Sequence, residues 1–263
     1  MRKWLAGSAV ASIALLIVSS ALLARTAEPQ AAASGSGADL TGVWRRSRRP
    51  PNDGHRYTYY ELAATLTSQV PPMTPWGEAK YKAAKPNIGP RGVPLSQSND
   101  PLTKCFPPGV PRLYLVRVGQ PLEIMIVPGR VIMFFEYDHF VRQIFTDGRQ
   151  HPQDLTPSWM GDSIGRWEGD TLVVDTVGFN DKTWLDGDGH PHSDELHLVE
   201  RIRRISHDTM TIDFTIEDPK AYTKPWEAHT VFDLEPGWNI GEVVCVDDNA
   251  NFLETKKKLE SPK

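Results

Sequence analysis

The sequence is poor in cysteine, in positive charge and in recognisable catalytic signatures. It contains no glycine-rich phosphate loop, no His-Glu-x-x-His and no Gly-x-Ser-x-Gly. Those absences argue against nucleotide use, the common zinc peptidases and α/β-hydrolase chemistry. Acidic residues outnumber basic ones, 33 to 29. A nucleic-acid role therefore has no electrostatic support. The one basic cluster, Arg45-Arg46-Ser47-Arg48-Arg49, reads as a solvated flank.

A long apolar run spans residues 4–23, preceded by Arg2 and Lys3. Small residues follow, through Ala31, Ala32 and Ala33. Positive charge, apolar stretch and small-residue cleavage zone are the order an export signal needs. The alternative is an uncleaved anchor, since the run is about long enough to span a bilayer. The expectation is a signal over 1–33, a flexible leader over 34–38 and no membrane association after cleavage. No cysteine lies near the cleavage zone, which argues against a lipid-anchored lipoprotein. The leader removes three basic residues (Arg2, Lys3, Arg25) and one acidic residue (Glu28), moving the net charge from −4 to about −6.

The two cysteines are Cys105 and Cys245. In an oxidising compartment, two cysteines far apart in sequence most simply form one disulfide. The alternative is a reactive thiol or a metal-binding pair. A bridge closing so large a loop stabilises by roughly 4 kcal/mol in the chain-entropy picture.

Residues 50–110 are irregular and proline-rich. One short helix is predicted there, with Thr74 as N-cap, Pro75 at the first position and a body over 76–84 ahead of Pro86. Pro94, Pro101, Pro107, Pro108 and Pro111 cannot join a central sheet. From residue 113 onward the chain turns strand-like. Runs are predicted at 113–118, 122–127, 131–137, 140–145, 163–167, 171–177, 196–205, 209–216, 228–234 and 238–246. Most adjacent runs are joined by tight turns, such as Pro128-Gly129 and Glu168-Gly169-Asp170. Short strands joined this way predict an all-β fold, an antiparallel meander of about 8–10 strands closing into a barrel. Over 209–217, Met210, Ile212, Phe214 and Ile216 share one face and the polar residues share the other, the period of a half-buried strand. The runs 122–127 and 131–135 are apolar throughout, which predicts cover on both faces from the proline-rich segment. The single domain is expected to span 39–250, with a charged tail over 251–263.

Gly42-Val43-Trp44 on the first strand resembles the opening of lipocalin-like barrels. Further motifs occur in order: Gly165-Arg166-Trp167-Glu168-Gly169-Asp170, Gly178-Phe179-Asn180-Asp181-Lys182-Thr183-Trp184, Gly189-His190-Pro191-His192, and 218–226, which reads DPKAYTKPW. Together they resemble a family of exported, uncharacterised bacterial proteins over roughly residues 39–250. The resemblance implies export and a lipocalin-like β architecture. It carries over no catalytic residues and no cofactor.

Two segments hold the candidate chemistry. The first is 181–197, the most polar stretch. His190, His192 and Asp194 are spaced by two, so an extended chain puts them on one face. Imidazole and carboxylate in reach of each other can share a proton, or bind a divalent transition metal through His190, His192 and His197. The second is Glu136-Tyr137-Asp138-His139 with Arg142. There Asp138 or Glu136 orients His139 as a base, and Tyr137 or Arg142 stabilises an oxyanion. The plainer alternatives are a polar loop ordered by a buried histidine, and a structural Glu136–Arg142 pair across a hairpin. The two segments are also candidates to converge at one barrel end with His151 and Trp159. Trp159, Trp184 and Trp226 fall in loops beside polar groups and suit a partly apolar ligand.

Three functions follow: a cofactor-free lyase, isomerase or hydrolase using a His–carboxylate pair, a non-catalytic ligand-binding barrel, or a His-rich metal binder. Substrate identity and oligomeric state are not written in the sequence.

Overall fold

The structure is a computed structural model of the chain, and it describes residues 39–47, 64–116 and 120–246. The segments read as signal, leader and charged tail lie outside the described residues, as do Arg48 and Arg49.

Nine strands among the described residues form a closed barrel in sequence order. They are β1 (Gly42–Arg46), β2 (Leu122–Val127), β3 (Arg130–Phe135), β4 (Val141–Phe145) and β5 (Asp162–Glu168), then β6 (Thr171–Val177), β7 (His197–Ser206), β8 (Thr209–Glu217) and β9 (Trp226–Leu234). Closure rests on β1. Trp44 faces Leu122 of β2 on one side and Leu234 of β9 on the other. Every ladder is antiparallel except β4 with β5, where Ile144 meets Ser163 and Phe145 meets Ile164 in parallel. The cause is the connection: residues 146–161 return along the barrel before β5 begins, as a parallel pair requires.

The registers separate the two ends of the barrel. Three tight turns, β2–β3, β5–β6 and β7–β8, close one end. The connections β3–β4, β6–β7 and β8–β9 all emerge at the other end, and β1 also points toward it. The helix α1 (Pro75–Ala83) forms as the capping pattern dictates, with Thr74 Oγ1 accepting from the Gly77 N–H at 3.1 Å. It leans on the β8–β9 connection so closely that a Cβ at Gly77 would lie 2.1 Å from the Ala221 carbonyl oxygen.

The alternation along β8 puts Met210, Ile212, Phe214 and Ile216 inside, all fully buried. The middle of the barrel is filled by side chains. One of them arrives from a segment with a strand-like pattern. Residues 113–118 are predicted as a strand, but the chain makes a 3-10 turn at Arg112–Tyr114 instead. The apolar run packs inward instead of pairing in a ladder, Tyr114 meeting Phe135, Phe214 and Phe232. The run after the proline-rich segment, residues 112–116, therefore packs into the interior. The outward residues of β2 and β3, among them Met125, Ile132 and Phe134, stay half-buried.

Residues 238–246, also predicted as a strand, run irregularly and make one isolated bridge outside the named strands, Tyr137 to Val243. The pairing of β1 with β9 occupies the edge such a strand needs. Cys245 is instead bonded to Cys105, with Cα atoms 5.6 Å apart. No helix among the described residues is long and apolar enough to cross a membrane.

Candidate functional site

The β6–β7 connection is organised by one carboxylate. Asp186 Oδ1 accepts from the backbone N–H of Asp188 at 3.0 Å and of His190 at 3.3 Å. Oδ2 accepts from the Leu66 N–H at 3.1 Å and from His190 Nδ1–H at 2.8 Å. An Asp does this well because its short side chain reaches backbone donors two and four residues on. The turn is closed by Leu185 N–H donating to the His190 carbonyl at 2.8 Å. Gly189 adopts φ +85°, and a Cβ there would come within 2.7 Å of the Ala84 Cβ. Both the backbone conformation and the space call for glycine.

These contacts fix the His190 ring. It stacks on Tyr81 of α1, centroids 5.0 Å apart and planes 12° from parallel. Tyr81 OH donates to Asp188 at 2.5 Å, and Arg91 lies over the Tyr81 ring at 3.8 Å. On its other side His190 approaches Trp226, centroids 6.2 Å apart. Tyr222 packs edge-on against Trp226 and donates its hydroxyl to the Pro191 carbonyl at 2.7 Å. Arg46 follows Trp44 by two residues on β1, so its side chain also turns inward. Its Nε donates to Thr230 Oγ1 at 2.9 Å and its Nη2 to the Thr65 carbonyl at 3.2 Å. The solvated flank expected of the basic cluster is thus not where Arg46 lies.

Three buried nitrogens of this cluster have no hydrogen-bond partner among the described residues: His190 Nε2, Trp226 Nε1 and Arg46 Nη1. Buried polar atoms are nearly always partnered, so each exception asks for a reason. Electrostatics binds the group together. Burial pulls the Arg46 guanidinium down to about 10, partly opposed by Asp186. Burial also disfavours charge on His190, but Asp186 overcomes it and the net shift is upward. Asp186 is lowered, because His190 and the backbone donors outweigh its own burial. Chemically this is an oriented imidazole with Nδ1 committed and Nε2 buried without a partner among the described residues. An imidazole anchored this way can work as an acid–base residue.

The other expected residues lie elsewhere. Glu136 accepts from the Gly241 N–H at 2.8 Å and from Trp238 Nε1 at 3.0 Å. Asp138 accepts from the Cys245 N–H at 2.8 Å, and the exposed His139 donates to the Gly241 carbonyl at 3.0 Å. Buried Tyr137 bridges to Val243. This segment clasps the C-terminal stretch. Arg142 does not pair with Glu136. It points into the barrel and forks onto Glu200, also bonding Tyr114, Ser163 and Thr176. Every partner there is satisfied, and the ladder places Arg142 beside Met133 on the inward face.

His192 is buried, donates from Nδ1 to the Ser193 carbonyl at 3.1 Å, and is lowered by desolvation. Asp194 is exposed and paired with Lys220. His197 shares Asp175 with His151 on the outer face. His190, His192 and His197 thus face separate partners, and no group of three potential ligands among the described residues is arranged to hold a metal ion. Of the three tryptophans, Trp226 approaches the His190 ring, and Trp184 bridges to Pro191 in the same turn. Trp159 sits with Phe106 and Lys182, and Trp184 lies under Arg112.

Sequence reasoning gave no site role to Asp186, one of the polar residues of 181–197, or to Arg46, read as part of a solvated flank. The signal for Arg46 was its two-residue spacing from Trp44. That for Asp186 was the Asp-Gly-Asp-Gly turn ahead of His190. No family model, curated protein or solved structure matches the chain, and the site stands on its own geometry.

Proposed function

We propose that the protein is an exported, cofactor-free enzyme that moves a proton on a small, partly apolar molecule at the long-loop mouth of the barrel. The observation that carries this is His190: buried, anchored through Nδ1 by Asp186, with Nε2 unpartnered among the described residues. In the neutral ring Asp186 selects the Nδ1–H tautomer, leaving a lone pair on Nε2 to take a proton. In the charged ring Nε2 gives one. Arg46 and Trp226 supply N–H groups for the oxyanion that builds up when a proton leaves carbon next to a carbonyl. This is lyase or isomerase chemistry. Export is supported by the N-terminal charge and apolar pattern and by the Cys105–Cys245 bond.

The test is proton exchange. Small 2-oxo and 3-oxo acids are incubated with the protein in D2O, and loss of the α-proton signal is followed by NMR. Wild type is expected to exchange at least one of them, His190→Gln to fall by about 100-fold, and His139→Gln and His197→Gln to stay unchanged. No exchange across the series above the His190→Gln level defeats the catalytic reading. The filled barrel interior favours one second reading, a binding protein that uses the same mouth without catalysis.

A further inference from the structure

Residues 146–161 leave the sheet after β4 and cross its outer face before β5 begins. At the near end Thr146 N–H donates to the Gly129 carbonyl at 2.8 Å. At the far end Ser158 N–H donates to the Gly178 carbonyl at 3.0 Å. Beyond it a Cβ at Gly109 would lie 2.5 Å from the Trp159 carbonyl oxygen, so the chain is tightly seated there. Between these ends Leu155 lies over Gly178, and His151 ties the segment to the strands.

His151 stands between two carboxylates. Its Nδ1 is 2.6 Å from Asp162 Oδ1 on β5, and its Nε2 is 3.2 Å from Asp175 Oδ1 on β6. His197 Nε2 of β7 lies 3.1 Å from the same Asp175 oxygen. A carboxylate only accepts, so each of these three contacts needs a proton carried by a ring. Two neutral imidazoles carry one N–H each, one proton too few. Imidazole is the stronger base, so the missing proton belongs on a ring and not on an aspartate. His151 is the ring with a carboxylate at hydrogen-bond distance from both nitrogens. The second contact of His197, to Glu217 of β8, is 3.5 Å long. The His151 and Asp162 side chains are only 21% and 22% exposed, so water weakens the arrangement only in part.

The rest of the surroundings leave this count unchanged. The ladders set uncharged neighbours beside the two aspartates, Val177 next to Asp162, and Ile164 and Val199 next to Asp175. On the segment itself Asp147, Arg149 and Asp154 are exposed, and Arg149 is paired with Asp147 while acting on Asp162 from a distance. His192 packs edge-on against Phe179, the residue bridged to Ser158. Burial disfavours charge on His192, so its effect on the segment has the opposite sign.

We propose that His151 is a proton-operated latch: its charged ring holds residues 147–158 against β5 and β6, and loss of one proton as pH rises releases them. The device does not depend on the chemistry of His190. The released segment leaves the ring free to give its proton to water, so opening becomes easier by up to about tenfold for each pH unit.

The test is hydrogen exchange of the Ser158 N–H in the full mature chain, followed from about pH 5.5 to about pH 8.5. Protection factors are compared, because they divide out the intrinsic pH dependence of exchange. Wild-type Ser158 is expected to lose protection by up to about tenfold per pH unit over part of this range, with amides of the β7–β8 hairpin not following. His151→Gln should be low and flat, because it removes the titrating ring. Asp162→Asn is the decisive variant. Asparagine offers an N–H to Nδ1, so a neutral ring meets both partners, and protection should stay high while the slope disappears. A disrupted crossover cannot give that profile. A flat wild-type profile overturns the proposal, and so does protection that rises with pH, the sign His192 would give. A slope that survives His151→Gln overturns it too, as does Asp162→Asn protection as low as that of His151→Gln.

Discussion

At the scale of single residues, the centre of the barrel turns on Arg142 and Glu200. Both are fully buried, and the fork between them is completed by Tyr114, Ser163 and Thr176. Burial works against the charge on Arg142, yet Glu200 more than offsets it and the guanidinium is raised. Burial pushes the Tyr114 phenol well above its ordinary range. Removing one partner strands the other charge in a dry interior. Glu200→Gln is therefore expected to cost about 3–5 kcal/mol in urea unfolding. Arg142→Met combined with Glu200→Gln should recover much of it. The histidines give a second prediction. His190 is raised, so its stabilisation is full below the unfolded value near 6.5 and is lost as pH rises through the folded value. His192 is lowered by burial, so stability falls as pH drops below the same unfolded value, where the unfolded chain takes up the proton more readily. Unfolding free energies at about pH 8.5 and about pH 5.5 distinguish the two. The gap between wild type and His190→Gln should widen toward acid. The gap between wild type and His192→Gln should narrow. Three charged residues of the interior were legible in principle. Arg46, Arg142 and Glu200 each lie two positions from an inward apolar residue: Trp44, Ile144 and Leu198. Arg46 was read as a solvated flank, Arg142 as an oxyanion stabiliser or a hairpin partner of Glu136, and Glu200 was given no role, because hydropathy outweighed period.

At the scale of elements, hairpins were the most legible feature. Turn residues and strand alternation are local, and β2 to β3 and β5 to β9 fall close to where the pattern puts them. What depends on distant pairing was not. The parallel entry of β5 follows from where residues 146–161 travel, and no local signal marks it. That crossover is held to the outer face by His151, which reaches Asp162 at 2.6 Å and Asp175 at 3.2 Å, while His197 reaches the same Asp175 oxygen at 3.1 Å. Asp175→Asn is expected to raise amide hydrogen exchange across 147–160 by about tenfold or more, with the β7–β8 hairpin unchanged. Uniform exchange in both would deny the crossover its latch. The C-terminal stretch is a comparable case. Its apolar alternation reads as a strand, but Glu136, Asp138 and Cys105 hold it as a clasp. Replacing both cysteines by serine should lower the unfolding free energy by at most about 4 kcal/mol and free 238–245 to exchange first.

At the scale of the whole molecule, the two ends of the barrel divide the work. Three tight turns seal one end, and the loops that build the His190 mouth occupy the other. The mouth was half legible: its polar loop stood out, while its partners on α1, β1 and β9 come together only through closure. That closure depends on β1, a five-residue strand at the N-terminal side that pairs with β9 at the far side of the sequence. β1 can pair with β2 early, but its second ladder must wait for β9, the last of the described strands. Such long-range pairing slows folding toward the millisecond-to-second range of barrels. During that wait the open sheet shows two unpaired edges, the condition in which chains stick to one another. For this barrel, production yield should be governed less by final stability than by how long the gap between β1 and β9 stays open.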